Sequence, residues 1–300
     1  NSCCMQEQPL PQTFIRRRSP TISISERLKD LFQSNLLLCN ERQQHFAAKL
    51  ASVSSSACSV DFTTGTLSFG EGEFVIKNIQ ILGSFSNVTS TWTWSWSNIF
   101  DFEYPEEVLE DALNAKEFGE RHEIPEYVDD GPILMDRSMA LALAMTAVDV
   151  VGAEAFYPAD INDGAGIAFI SLRDERLFLP PANEWSSFMI GFPQLLAQAI
   201  DSYADFIPDE MKLIEDYCMA RGDEEWKYEH LDHLPIEIAQ LMEIDPDITI
   251  HGVCMITDTE NNRICTLIFD SDNCIRNIQI NVKQQKEKPN ETRQFDFPVR

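Results

Sequence analysis

The sequence predicts an α+β protein with two subdomains, each an antiparallel sheet packed against helices. Three observations carry that expectation. Apolar residues recur at three- and four-residue spacing after Ser25, the helical period, and then alternate at period two from Ser59 to Asn98. A second helical block over 180–230 gives way to a second alternating block over 248–282. The chain of 300 residues, 44% of them apolar, is long enough to bury a sizeable core. The implied boundaries are an N-terminal arm over 1–24, a first domain over 25–173, a second over 174–282 and a tail over 283–300.

Residues 1–24 are polar, with Pro9, Pro11, Pro20 and the basic run Arg16 to Arg18, the composition of a flexible arm. Ser25 is placed to cap a helix whose Leu28, Leu31 and Phe32 share a face, and Ser34–Asn35 predicts a break into two helices. "CSVDFTTGTLSFGEGEFVIKNIQILGSFS" reads as three strands with turns at Thr64–Gly65 and Gly70–Gly72; "TSTWTWSWSN" continues as another strand. "PEEVLEDALNAKEFGERHEI" is a helix with Pro105 at its first position and glutamates in its first turn, ended or bent at Gly119. "DRSMALALAMTAVDVVGAEAFY" is a more buried helix closing at Gly152, and "AGIAFISL" is a strand covered by helices.

In the second half, "EWSSFMIGFPQLLAQAIDSYADFI" and "PDEMKLIEDYCMARGDEEWKYEHLDHL" read as helices and "PIEIAQLMEI" as a short one. "ITIHGVCMITD", "RICTLIFD" and "CIRNIQINV" are strands, with turns at Glu260–Asn262 and Asp270–Asn273. "VIKNIQILG" over 75–83 echoes "CIRNIQINV" over 274–282; a chance match of strand-forming residues accounts for this better than a duplication. Residues 283–300 read as a charged, proline-containing flexible tail.

Charge restricts the function. Asp and Glu number 49 against 23 Lys and Arg, a net charge of −26, which repels nucleic acid and anionic membranes. No run of apolar residues is long enough for a membrane span, since Asp149 interrupts "LALAMTAVDVVGA", and the first residues lack the apolar core of a signal peptide. The eight cysteines show no C-x-x-C spacing and fall mostly in apolar runs, so reduced thiols and a cytoplasmic protein are expected. No cofactor is expected either: "GEGEF" and "DGAGI" lack the P-loop lysine and the full dinucleotide fingerprint, and no G-x-S-x-G occurs.

Three segments, "LGSFSNVTSTWTWSWSN", "AKEFGERHEIPE" and "AMTAVDVVGAEAFY", carry a likeness to known proteins. Over about 45–172 the chain resembles a bacterial family of unassigned function with a Trp-x-Trp-x-Trp-x-Asn motif. Here Ser95 is the small residue between tryptophans, Ser97 stands where Ala is common, and the usual Pro after Asn98 is absent. The resemblance implies a fold and no activity, hence no catalytic residues.

Three constellations remain. Trp92, Trp94 and Trp96 occupy alternate positions, so one strand face would carry all three rings; a core wall is the expected role, and a stacking platform for a ligand-binding or scaffold module the alternative. Asn98 is placed to cap the region that follows. On a helix, His230, His233 and Glu237 would share a face, which suggests a metal-assisted hydrolase, but Pro235 interrupts that helix, the H-E-x-x-H order is missing, and no metal site is assigned.

The third constellation is acid. Residues 101–136 hold 13 acidic and 2 basic side chains, and 201–247 hold 15 and 3, nearly all the net charge. The favoured expectation is a non-enzymatic binding protein, an inhibitor or immunity-type protein masking a basic protein partner such as a nuclease toxin. The residues expected to carry binding are Glu103, Tyr104, Glu106, Glu107, Glu110, Asp111, Asp223, Glu224, Glu225 and Trp226, with Tyr127 and Tyr228 as further aromatic anchors.

Overall fold

The computed structural model describes residues 24–54, 57–97, 104–180, 185–203, 206–207, 209–221, 226–231, 252–258, 263–282 and 293–296. Among them the helices are α1 (Glu26–Leu50), α2 (Glu110–His122), α3 (Pro125–Val128), α4 (Arg137–Val150), α5 (Trp185–Tyr203) and α6 (Glu210–Arg221). The strands are β1 (Cys58–Asp61), β2 (Thr66–Phe69), β3 (Phe74–Lys77), β4 (Gln80–Ser86), β5 (Thr91–Trp94), β6 (Ile133–Leu134), β7 (Ala155–Ile161), β8 (Gly166–Leu172), β9 (Trp226–Leu231), β10 (Gly252–Asp258), β11 (Arg263–Phe269), β12 (Ile275–Val282) and β13 (Arg293–Asp296). They form three sheets, ordered β1-β2-β3, β6-β5-β4-β8-β7 and β13-β12-β11-β10-β9, and every pairing is antiparallel. The architecture is α+β, with antiparallel sheets packed on helices.

Helix α1 starts as its sequence dictates. Ser25 Oγ accepts from the Leu28 amide at 3.2 Å and donates to Glu126 Oε2 at 2.7 Å, so the cap also ties α1 to α3. The expected break at Ser34–Asn35 is absent, and the helix runs through to Leu50. Both polar side chains have partners that leave the helical ladder intact: Ser34 Oγ donates to Asp216 on α6 at 2.8 Å, and Asn35 Nδ2 to the Leu31 carbonyl one turn back at 3.0 Å. Leu28, Phe32, Leu36 and Leu37 bury the inward stripe.

The tryptophan strand is shorter than its alternation suggests. Pairing stops at Trp94, and Ser95 turns the chain, its hydroxyl donating to the Ile81 carbonyl at 2.6 Å. Trp92 and Trp94 are wholly buried, with ring centroids 5.2 Å apart in an edge-to-face pair. On the neighbouring strand the position facing Trp94 is Gly83, where a Cβ would lie 2.6 Å from the Thr93 carbonyl oxygen and 2.8 Å from the Trp92 ring. Only glycine lets β4 approach the indole.

Several sequence expectations give way. Pro105 precedes a short 3-10 turn over Glu106–Val108, and α2 begins after it, at Glu110; the break lets Val108 turn inward. Gly119 neither ends nor bends α2: it lies inside the helix, where a Cβ would sit 2.4 Å from that of Tyr127, so it admits α3. The last residues of "AEAFY", Ala155 to Tyr157, already belong to β7, since the helix ends at Val150 and Gly152, at φ +69°, closes it as its glycine predicts. Likewise α6 ends at Arg221, and 226–231 is the edge strand β9, not helix. The tail contains strand β13, which pairs with β12. Asn98, the "PIEIAQLMEI" helix and the Glu260–Asn262 turn lie outside the described residues, as does the arm up to residue 23.

Buried side chains from both halves are continuous. Leu28 to Cys39 of α1, Trp92, Trp94, Leu143, Leu196, Ile214, Cys254 and Leu267 belong to one cluster. A second cluster, with Phe46 at the far end of α1, sits beneath β2, β3 and β8. The open edge of β7 is met by a side chain: Gln43 of α1 donates to the Phe156 carbonyl at 3.0 Å and accepts from its amide at 2.9 Å, as a neighbouring strand would. No described helix is long and apolar enough to cross a membrane.

Candidate functional site

Helix α2 is built with two unlike faces. Asp111, Ala112, Ala115 and Gly119 point inward, small enough for the helix to lie close to β4 and α3. Glu110, Leu113, Glu117 and Glu120 form one outward stripe, with Glu106 and Glu107 exposed just ahead of it. Leu113, 49% exposed, is an apolar spot among these carboxylates. The basic residues of this stretch are engaged: Lys116 lies 4.1 Å over the Trp96 ring, and Arg121 pairs with Glu117 at 3.2 Å. Among the described residues Glu106, Glu107, Glu110 and Glu120 enter no ion pair.

The position of these acids is informative. Glutamates in a first turn favour the helix dipole, so Glu110 stabilises α2 without any partner. Glu120 sits in the last turn, where a negative charge is worth about 0.3–1 kcal/mol against the helix. Its presence there does nothing for the helix itself.

Beside the stripe, a broad groove of about 630 Å3 runs between α1, the end of α2 and α6. Leu31, Phe118 and Ile124 supply its apolar lining, and His122 stacks on Phe118 with centroids 4.1 Å apart. Arg27 closes one side, donating to the His122 carbonyl at 2.6 Å and pairing with Glu123 at 2.5 Å.

The structure divides the residues expected to bind. Glu106, Glu107 and Glu110 are exposed together. Asp111 faces the other way: it is 1% exposed, accepts from Ser171 at 2.5 Å and pairs with Arg173 at 2.5 Å, and so joins α2 to β8. Tyr104 is half-buried against Phe62, and Tyr127 is fully buried, its hydroxyl donating to Thr146 at 2.8 Å. Trp226 and Tyr228 lie on β9; Glu103, Asp223, Glu224 and Glu225 lie outside the described residues.

The second acidic run is largely used internally where it is described. Asp209 caps α6 by accepting from the Lys212 amide at 2.9 Å, Glu210 accepts from the Ile275 amide at 2.7 Å, and Asp216 holds Ser34 and Lys212. Among the described residues the two runs therefore differ: the first keeps Glu106, Glu107, Glu110, Glu117 and Glu120 at the surface, while Asp209, Glu210 and Asp216 of the second hold structure.

The strand at 226–231 removes the helical spacing that would have placed His230, His233 and Glu237 on one face; His233 and Glu237 lie outside the described residues. The stacking platform also fails geometrically, since Trp92 and Trp94 have no exposed surface and Trp94 Nε1 donates to the Glu126 carbonyl at 2.8 Å. The signal sequence reasoning missed was the inward tie of Asp111, whose partner Arg173 is 62 residues away.

Residues 29–175 match a family of unknown function (DUF6882). The match runs from α1 through β8 and takes in both the tryptophan strand and the acidic helix. No curated protein and no solved structure matches the chain.

Proposed function

We propose that this chain is an acidic, non-enzymatic binding protein, an inhibitor or immunity-type protein that masks a basic protein partner such as a nuclease toxin. One observation carries the reading: the outward stripe of α2 with its approach, Glu106, Glu107, Glu110, Glu117 and Glu120, surrounds the exposed Leu113, and four of the five carboxylates enter no ion pair among the described residues. An apolar spot ringed by charge of one sign suits a docking face in which the ring steers encounter and the centre is desolvated. Partner Lys and Arg that otherwise hold phosphates would pair with these glutamates, so inhibition by masking needs no catalytic group. In the same reading the protein is bacterial and cytoplasmic, and the tryptophan motif is a family feature whose role is to hold the sheet beneath α2.

The test is a pull-down from the native host followed by association kinetics with the recovered partner. Added salt should slow association steeply, as the Debye length falls from about 10 Å at 0.1 M to about 3 Å at 1 M. Changing Glu106, Glu107, Glu110 and Glu120 to Gln should lower the association rate more than it raises dissociation. An acidic or neutral partner, or binding indifferent to both salt and the variant, would overturn the proposal.

A further inference from the structure

A cavity of about 240 Å3 opens where α1, the turn after α4, the segment 177–179 and the end of α6 converge. It is separate from the acidic face, and nothing in it depends on that reading. Leu38, Ala153, Leu177 and Leu179 give it an apolar wall, and Arg42, Glu154 and Arg221 supply charge.

Two of these side chains hold buried atoms with open hydrogen-bonding capacity. Glu154 Oε2 is buried and has no donor. Arg221 Nε is buried and has no acceptor; it lies 3.1 Å from Glu41 Oε2, close enough for an ion pair but not aligned for a hydrogen bond. Its two terminal nitrogens are occupied by the Pro180 carbonyl at 3.2 Å. Arg42 gives one N–H to Asp149 at 3.0 Å, leaving further donors on its guanidinium. Buried polar groups are normally paired, so an open acceptor and an open donor lining one cavity describe the missing partner.

Glu154 feels Arg173 and Arg42, while Glu41 feels Arg221 and Arg42, which also holds Asp149. Arg173 is already paired with Asp111 at 2.5 Å, so the open acceptor and the open donor, and not a balance of charge, set the two ends of the ligand. Burial pushes the Glu154 carboxyl above the usual carboxylate range, as expected of an acid that lacks a full set of donors.

We propose that this cavity binds a small zwitterion, an α-amino acid with an aliphatic side chain. Its ammonium group donates to Glu154 Oε2, its carboxylate accepts from Arg221 Nε and the open N–H groups of Arg42, and its side chain lies on Leu38, Leu177 and Leu179. A carboxylate alone would leave Glu154 open, and an amine alone would leave Arg221 open. The volume corresponds to about eight waters in the liquid, which suits a compound the size of leucine.

The experiment is calorimetric titration of the full chain with L-leucine, with 4-methylpentanoate, which lacks the ammonium, and with 3-methylbutylamine, which lacks the carboxylate. Leucine should bind saturably and the two halves should not bind at the same concentrations. Glu154→Gln keeps the size and removes the charge, and should weaken leucine binding roughly tenfold or more, the effect of losing a charge-assisted hydrogen bond. Ala220→Trp, at an exposed position of α6 that lines the cavity, should abolish binding while far-UV circular dichroism stays unchanged. Absence of leucine binding, equal binding of either half, or leucine binding undiminished by Glu154→Gln would overturn the proposal.

Discussion

Replacing Trp94 by Ala should cost about 4–5 kcal/mol of stability. The ring has no exposed surface. A buried aromatic of this size removes about 150–250 Å2 from water, at about 25 cal/mol per Å2, and the alanine keeps only a small part of that area. The ring also makes edge-to-face contacts with Trp92 and with Tyr127, at 5.2 and 5.4 Å between centroids. These contacts bring the estimate into the upper part of the ~3–5 kcal/mol seen when buried Trp or Phe is cut to Ala. One polar term is separable. Trp94 Nε1 donates to the Glu126 carbonyl, and loss of that donor alone leaves a buried acceptor open at about 1–3 kcal/mol. Trp94→Phe should therefore cost markedly less than Trp94→Ala. Urea unfolding followed by far-UV circular dichroism, which does not depend on the deleted fluorophore, measures both. A Trp94→Ala cost below about 1 kcal/mol would refute the core-wall role, because no packed ring of this size leaves so cheaply. Equal costs for the two variants would refute the separation into packing and hydrogen bonding.

Other perturbations follow from single contacts. Gly119→Ala should destabilise the protein in thermal melts although alanine is favoured by about 1 kcal/mol within helices, because the new methyl would meet the Tyr127 Cβ at 2.4 Å. Asp111→Ala, which strands Arg173 and Ser171, should cost about 2 kcal/mol in urea unfolding, less than the roughly 3–5 kcal/mol for breaking a fully buried pair, since the Arg173 side chain is 38% exposed. Native iodoacetamide treatment should modify the exposed Cys58 and spare Cys39 and Cys218, whose thiols burial pushes up to about 12; peptide mass mapping reads the pattern. At Asp270 burial raises the carboxyl pKa, but the Cys274 and Asp272 amides and Arg276 outweigh it and hold it below the usual range. Its contribution is present above the unfolded value near about 4 and is lost as pH falls through the lower folded value. The melting-temperature gap between wild type and Asp270→Asn should accordingly close below about pH 4, and a gap persisting there would count against the assignment.

Much of the fold can be read in the sequence wherever a local rule acts. Ser25 marks the start of α1, Gly152 follows the end of α4, and Asp270–Asn273 turns the chain between β11 and β12, with Asn273 at φ +58°. What stays hidden depends on distant partners. Ser34–Asn35 looks like a break until Asp216 is seen beside it. The strand β7 is masked by its alanines and by Pro158, which is tolerated because β7 is an edge strand. At β9 the period-two set Trp226, Tyr228 and His230 was a legible strand signal, overridden by the helical pattern running into it. The echo between 75–83 and 274–282 shows how little a shared word fixes: Asn78 takes φ +58° and separates β3 from β4, while Asn277 lies within the unbroken β12. For the acidic face, exposure of Glu106, Glu107 and Glu110 follows from composition, but the inward turn of Asp111 requires Arg173 to be in place.

The many attachments of α1 bear on how the chain is made. Its Ser34 waits for Asp216, 182 residues later, and its Glu41 for Tyr217, 176 residues later. At roughly 5–20 residues per second, the ribosome needs on the order of 10–40 s to deliver α6 after α1 has emerged. Throughout that interval the surface of α1 that α6 will cover faces solvent or a chaperone, and β7 and α4 can cover only other parts of it. Helix α1, made before the other described helices, is thus among the last of them to be fully enclosed, and the nascent chain is most exposed to misassociation over the stretch between β8 and α6.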